Sequence, residues 1–242
     1  MTQGARVLVT RPPCDRAPLH HLLESVGYSA VSVPLYERRW RVDDVIRSAQ
    51  QNPEIEHLVL TDPTCAEVLA LAAPHSWGTA PITVLDDATA ARAAQLGLRV
   101  LSTVTSKDSP SSKLKFEPPY EGTIAVLSPA HIPSPLRTPQ TEAHKVVSIE
   151  AYEQVQPPEL KAQLAEAIPV LATVLFDTLE AKLAAQFLSS HQHAELGHIL
   201  CGSVDAAETA RNAGLPVHSV AESPTVPGVV RTLRALYPIP VS

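Results

Sequence analysis

The groups in this chain best suited to chemistry are a phenol, an arginine and a set of hydroxyls, each placed where an apolar run gives way to polar residues. Tyr152, in Ala151-Tyr152-Glu153, follows the β-branched run 145–149. A phenol there can donate a proton or a hydrogen bond to a reacting group, or cover a strand edge with its hydroxyl in water. Thr10 and Arg11 follow the apolar run 6–9, and Arg11 precedes two prolines. Its guanidinium suits a carboxylate partner, or it fastens the loop. Thr178 and Ser203 stand where strand-like runs pass into helix-like ones, Ser203 directly after Gly202. A hydroxyl at such a turn, beside backbone N–H groups without helical partners, holds an anion or caps the helix. Glycine there lets the backbone approach a ligand closely.

Other reactive residue types are not arranged for catalysis. His20 with His21, and His191 with His193, have no carboxylate or cysteine at ligand spacing and read as solvated surface. Ser189-Ser190-His191 lacks the strained turn a hydrolase nucleophile needs, and Glu153 and Glu222 do not form a credible acid and base pair. Cys14, Cys65 and Cys201 are odd in number and far apart, which argues against a disulfide framework or a zinc site and fits a reducing compartment. Nineteen Lys and Arg against 25 Asp and Glu leave no basic run to follow a phosphate backbone, so nucleic acid is not an expected partner. No apolar run reaches signal-peptide or membrane-spanning length, and the expectation is a cytoplasmic protein without a membrane partner.

Positioning the candidate groups falls to an alternation of short apolar runs with helical segments. Residues 83–102 (TVLDDATAARAAQLGLRVLS) run strand, turn, alanine-rich helix, glycine stop and strand, and residues 199–220 (ILCGSVDAAETARNAGLPVHSV) do so again, which makes the chain two related halves. The spacing predicts strands at 6–10, 29–33, 57–61, 82–85, 99–103, 123–128, 145–149, 172–176, 199–202 and 217–220. Strands alternating with helices predict an α/β protein with parallel sheets covered on both faces. Residues 105–112 are polar and serine-rich and predict a loop, while Pro129, Pro133, Pro135 and Pro139 exclude a long helix and predict a thin or irregular cover there.

Within the repeat, residues 7–33 correspond to 125–149 and residues 57–102 to 173–220. Residues 1–35 should therefore pack with 155–242 as one discontinuous domain, with 40–150 as a second and crossings at 34–39 and 150–156. Tyr36 and Tyr152 mark these crossings, and Tyr36 takes a structural role. A two-strand hinge between α/β domains predicts a cleft facing the carboxyl ends of the strands, where such sheets take ligands.

With these features in place, the chain resembles the uroporphyrinogen-III synthase family. The resemblance is carried by Val7-Leu8-Val9-Thr10-Arg11-Pro12, Val33-Pro34-Leu35, Ala151-Tyr152-Glu153-Gln154-Val155, and most specifically by Gly214-Leu215-Pro216-Val217 with Ala221-Glu222-Ser223-Pro224-Thr225. It runs nearly end to end and is strongest in the first 35 residues and the last third. It implies two flavodoxin-like (Rossmann-like) three-layer domains and closure of the linear tetrapyrrole hydroxymethylbilane to a macrocycle, with its last ring inverted and water lost. No metal or cofactor is implied, because the pyrroles supply the electron push and the protein assists loss of hydroxide and holds the chain in shape. A monomer is expected.

The resemblance assigns Tyr152 to the departing hydroxyl. Thr10, Arg11, Thr61, Thr178, Gly202 and Ser203 go to binding the substrate's carboxylates. The chain also departs from the family's pattern. Thr61-Asp62-Pro63-Thr64-Cys65 stands for the usual Thr-Ser-x-Asn-Ala, Asp86 replaces a glycine, and Gly202-Ser203-Val204-Asp205-Ala206 lacks the usual threonines. Residues 128–140 lack a glycine-rich, Arg-containing turn, for which Arg137 could substitute. Carboxylates added near an anionic ligand are electrostatically unfavourable, and the alternative is a two-lobed clamp that binds or regulates tetrapyrroles without turnover.

Overall fold

The structure, a computed structural model, describes residues 5–75, 77, 79–104, 122–130, 144–188 and 195–239, without the side chains of Cys14 and His144. The expected loop at 105–112, Pro133, Pro135, Arg137 and Pro139, and residues 189–193 with His191 and His193 lie outside the described residues. Contacts divide the chain into unit 1, Met1–Glu37 with Val155–Ser242, and unit 2, Arg38–Gln154.

The chain opens with β1 (Arg6–Val9), α1 (Pro13–Ser25) and β2 (Ser29–Ser32). It continues through β3 (Glu37–Trp40), α2 (Val42–Gln51), β4 (Ile55–Leu60), α3 (Pro63–Ala72), β5 (Ile82–Val84), α4 (Asp87–Gln95), β6 (Val100–Thr103), β7 (Gly122–Pro129) and β8 (His144–Val155). It closes with α5 (Leu160–Ala167), β9 (Ala172–Leu175), α6 (Thr178–Leu188), β10 (His198–Cys201), α7 (Val204–Asn212), β11 (Ser219–Val220) and α8 (Val226–Leu236). Among the described residues no helix is long and apolar enough to cross a membrane.

In unit 1 the sheet order is β11-β10-β9-β1-β2, and every pairing is parallel. Alternation along β1 sends Val7 and Val9 to one face, against Leu19 and Leu23 of α1 and Val229, Val230 and Leu233 of α8. Leu8 points to the other, against Leu164, Ala181, Ala184, Ala207 and Ala210 of α5, α6 and α7. Three layers result, because strands buried on both faces need helices on both. Gly214, at φ +89°, ends α7 and lets the chain turn back toward β11.

In unit 2 the order is β3-β8-β7-β4-β5-β6, with parallel pairing from β8 through β6. Leu58 and Leu60 face α2, α3 and α4 through Val45, Ala49, Val68, Leu69 and Ala93. Val59, Ile124 and Val126 form a smaller buried cluster of their own. Read from one edge, β6-β5-β4-β7-β8 matches β11-β10-β9-β1-β2, so the unit 2 strands β4 to β8 are unit 1's sheet with the chain started elsewhere. That is the correspondence predicted from the repeat, with residues 125–149 in the place of 7–33.

Two elements were absent from the sequence reading. The charged stretch Glu37-Arg38-Arg39-Trp40 is strand β3, because β8 offers it an edge: Arg41 N–H donates to Ala151 O at 2.8 Å, and Arg39 pairs with Glu153 at 3.0 Å. Helix α2 follows, burying Val45 and Ala49 four residues apart. The strand expected at 145–149 is also longer, running to Val155, so Tyr152 lies within β8, paired in register with Pro129.

Candidate functional site

Each sheet has one topological switch point, where consecutive strands depart to opposite sides and the loops at the carboxyl ends part. In unit 1 it falls between β1 and β9, and in unit 2 between β4 and β7.

At the unit 2 switch point, Thr61 ties β4 to β7, its N–H donating to Leu127 O at 3.2 Å and its hydroxyl to the same oxygen at 3.1 Å. Asp62 follows as the cap of α3, with Pro63 in the first turn, where proline's missing N–H costs nothing. Its Oδ1 accepts N–H groups from Thr64 at 2.8 Å and Cys65 at 3.2 Å. Oδ2 accepts the Tyr152 hydroxyl at 3.2 Å and the Cys65 thiol at 3.3 Å. The Asp62 carboxylate is thus held by a helix end and is the phenol's partner. Asp86 likewise caps α4, accepting Thr89 N–H at 2.7 Å.

Tyr152 is only 4% exposed, packed with the core of unit 2. Burial pushes its phenol well up, the Asp62 carboxylate and Cys65 add to this, and Arg38, 6.0 Å from the ring centroid, opposes it. Such a phenol stays protonated and acts as a hydrogen-bond donor rather than an acid that gives its proton away completely. Burial also raises the Cys65 thiol, which removes it as a nucleophile.

At the unit 1 switch point, Thr10 is fully buried, its hydroxyl 2.9 Å from Val174 O and 2.9 Å from Glu180 Oε2. It braces β1 against β9 and α6, and no surface of the residue is open. Arg11 lies with its guanidinium carbon 4.4 Å from the centroid of the Phe176 ring; its Nη2 is 3.6 Å from Asp15 Oδ2 and its Nε 3.8 Å from Glu180 Oε1. Thr178 is exposed at the start of α6. The cap of that helix is Asp177, which accepts Glu180 N–H at 2.8 Å, so capping does not occupy the Thr178 hydroxyl. Ser203 does cap, accepting Ala206 N–H at 3.2 Å to begin α7. Gly202 is buried, and a Cβ there would stand 3.2 Å from Phe176 Cα, so the close approach it permits is to Phe176.

The switch points bring together Thr61 with Tyr152, and Thr10 with Arg11, but each group contains an acid that sequence reading passed over. Asp62 stood out only as a departure. Glu180 could have been found from Asp177-x-x-Glu180, the spacing of a capping box. Among the described residues no group of three or more His, Cys, Asp and Glu side chains could hold a metal ion.

The molecule is thus a two-unit α/β protein, with hydroxyl and carboxyl groups gathered at the switch point of each parallel sheet. No protein-family model matches the chain, and no curated protein matches it in sequence. Among solved structures it is similar to a substituted form of uroporphyrinogen III synthase from Thermus thermophilus, at a TM-score of 0.61 and 16% identity, covering 96% of this chain and 98% of that one. Two other structures of the Thermus thermophilus synthase align over 96% of this chain, with TM-scores of 0.46 and 0.41 at 17% and 16% identity. The chain shares the fold of the first of these structures over 96% of its length.

Proposed function

We propose that the protein is a uroporphyrinogen-III synthase that closes hydroxymethylbilane to a ring. In this reaction the terminal hydroxyl leaves as water with one proton, and the last pyrrole is attacked at its substituted carbon. The resulting spiro intermediate breaks and recloses with that ring inverted, so the net change is loss of one water. The observation that carries the reading is the fold likeness over 96% of the chain. Tyr152, at the carboxyl end of β8, supplies the hydrogen bond to the departing hydroxyl, and the phenol exchanges Asp62 for the substrate as it does so. Arg11, Thr178 and Ser203 serve the substrate's carboxylates. Thr10, Thr61 and Gly202 hold the strands and turns that carry them. Catalysis on this reading is mainly positioning, since the pyrroles provide the driving electrons.

One observation favours the second reading, a tetrapyrrole clamp without turnover: the phenol is bonded to a carboxylate and pushed upward, which weakens it as a proton donor. Freshly made hydroxymethylbilane separates the two. Oxidation and separation of the products should give the inverted isomer above the uncatalysed background. Formation of only the uninverted isomer, with ligand still bound, would establish the clamp.

A further inference from the structure

Unit 1 contains a carboxyl group to which the proposed function gives no task. Glu180, in the first turn of α6, has none of its surface exposed. Its Oε2 lies 2.9 Å from Thr10 Oγ1 and accepts Phe176 N–H at 2.8 Å, while Oε1 makes no hydrogen bond. Thr10 Oγ1 is also 2.9 Å from Val174 O. A threonine hydroxyl has one hydrogen, and a backbone carbonyl can only accept. Both short contacts are hydrogen bonds at once when the second hydrogen sits on Glu180: the acid donates to Thr10, and Thr10 donates to Val174 O. With an ionised carboxyl, one contact would face oxygen to oxygen without a hydrogen, inside the protein.

The surroundings agree with a neutral acid. Burial raises the Glu180 carboxyl to about 8, and Asp177 adds to the rise, against the Phe176 N–H, Arg11 and Thr10. The charged and titratable groups facing it are Arg11 from the turn after β1, with Asp15 of α1 beyond, Asp177 ahead of α6, and Cys201 of β10. Burial raises the Cys201 thiol to about 11.

Arg11 shows the consequence. Its Nε is buried without a hydrogen bond, its distance of 3.8 Å from Glu180 Oε1 is too long for one, and Asp15 stands off at 3.6 Å. The guanidinium is held over the Phe176 ring, with 22% of the side chain exposed.

We propose that Glu180 is a positioning residue kept as a neutral acid, so that the adjacent Arg11 remains open to a carboxylate-bearing ligand at the switch point between β1 and β9. On ionising, Glu180 competes for Arg11 and weakens that ligand. The inference rests on the proposed function only for the choice of ligand, a polycarboxylate.

Two measurements test it. The infrared spectrum of the whole protein at neutral pH should contain the carbonyl stretch of a buried neutral carboxylic acid, lost in Glu180→Gln; its absence from the wild type overturns the proposal without need of a variant. Uroporphyrin I, a stable octacarboxylate, is then titrated by fluorescence from about pH 6 to about pH 10. Wild-type affinity should fall about tenfold as Glu180 ionises. Glu180→Gln, which cannot ionise, should keep its neutral-pH affinity throughout, and Arg11→Gln should bind weakly at every pH. The same pH dependence in wild type and Glu180→Gln overturns the proposal. So does a folded Glu180→Gln that no longer binds at neutral pH, unchanged binding by Arg11→Gln, or no binding of uroporphyrin by the folded wild type. Failure to form the inverted isomer sinks the synthase reading and leaves these outcomes as they stand.

Discussion

Two acids, Glu180 buried and Asp62 half-buried, shape the chemistry available to single residues. Asp62 receives the Tyr152 hydroxyl, and removal of that hydroxyl leaves Oδ2 with another donor, the Cys65 thiol. Tyr152→Phe should therefore cost only about 1 kcal/mol of stability. Turnover should fall at least about tenfold, since a hydrogen bond aimed at a leaving group acts mainly in the transition state. Thermal unfolding and the isomer assay measure the two effects separately, and unchanged turnover would remove Tyr152 from the mechanism. Glu180 carries a pH dependence with a definite sign. Its folded-state value, about 8, lies above the ordinary 4.5, so between these values the unfolded chain has released a proton that the folded protein keeps. Stability should fall as pH rises through that window, by a few kcal/mol in order of magnitude, and level off above it. Urea midpoints at about pH 5 and about pH 8 should differ in wild type and much less in Glu180→Gln; equal differences in both would place the titration elsewhere.

At the scale of elements, the helix starts carry the unit-specific chemistry. Asp62, Asp86, Asp177 and Ser203 each follow a strand and accept N–H groups at a helix start. Repeated strand-to-helix turns leave free N–H groups at the same edge of every sheet, and a short acceptor satisfies them. Asp86→Ala, which removes the cap of α4, should lower stability by about 1 kcal/mol in urea denaturation and leave product formation unchanged. A loss of activity at constant stability would assign Asp86 to the site. These caps were only half legible in the sequence. Ser203 and Thr178 were equally caps or ligand hydroxyls, and the choice turned on neighbours: Asp177 takes the cap of α6, which leaves Thr178 exposed. Strand β3 was not legible, because Glu37-Arg38-Arg39-Trp40 lacks an apolar alternation and becomes a strand only beside β8.

At the scale of the molecule, one sheet order occurs twice with the chain started at different strands. Unit 1 is interrupted between Glu37 and Val155, at the ends of β3 and β8, which are hydrogen-bonded neighbours. Excision of 38–154, with a short glycine-containing link in its place, should leave a chain that still builds β11-β10-β9-β1-β2 around its own two core clusters. It should melt cooperatively by circular dichroism and form no inverted isomer. A molten product without a cooperative transition would mean that unit 1 needs unit 2 to fold.

The sequence by itself determined the alternation of strand and helix, the internal repeat and the parallel α/β class, because apolar runs, glycine stops and prolines act over a few residues and are written locally. Tertiary structure alone decided which acid serves which hydroxyl. Tyr152 meets Asp62 across 90 positions and Thr10 meets Glu180 across 170, and only the strand order sets those carboxyl ends side by side. Hydrogen-bond partners so distant are chosen by packing, since a buried acid must take whatever donor or acceptor the folded chain brings within reach.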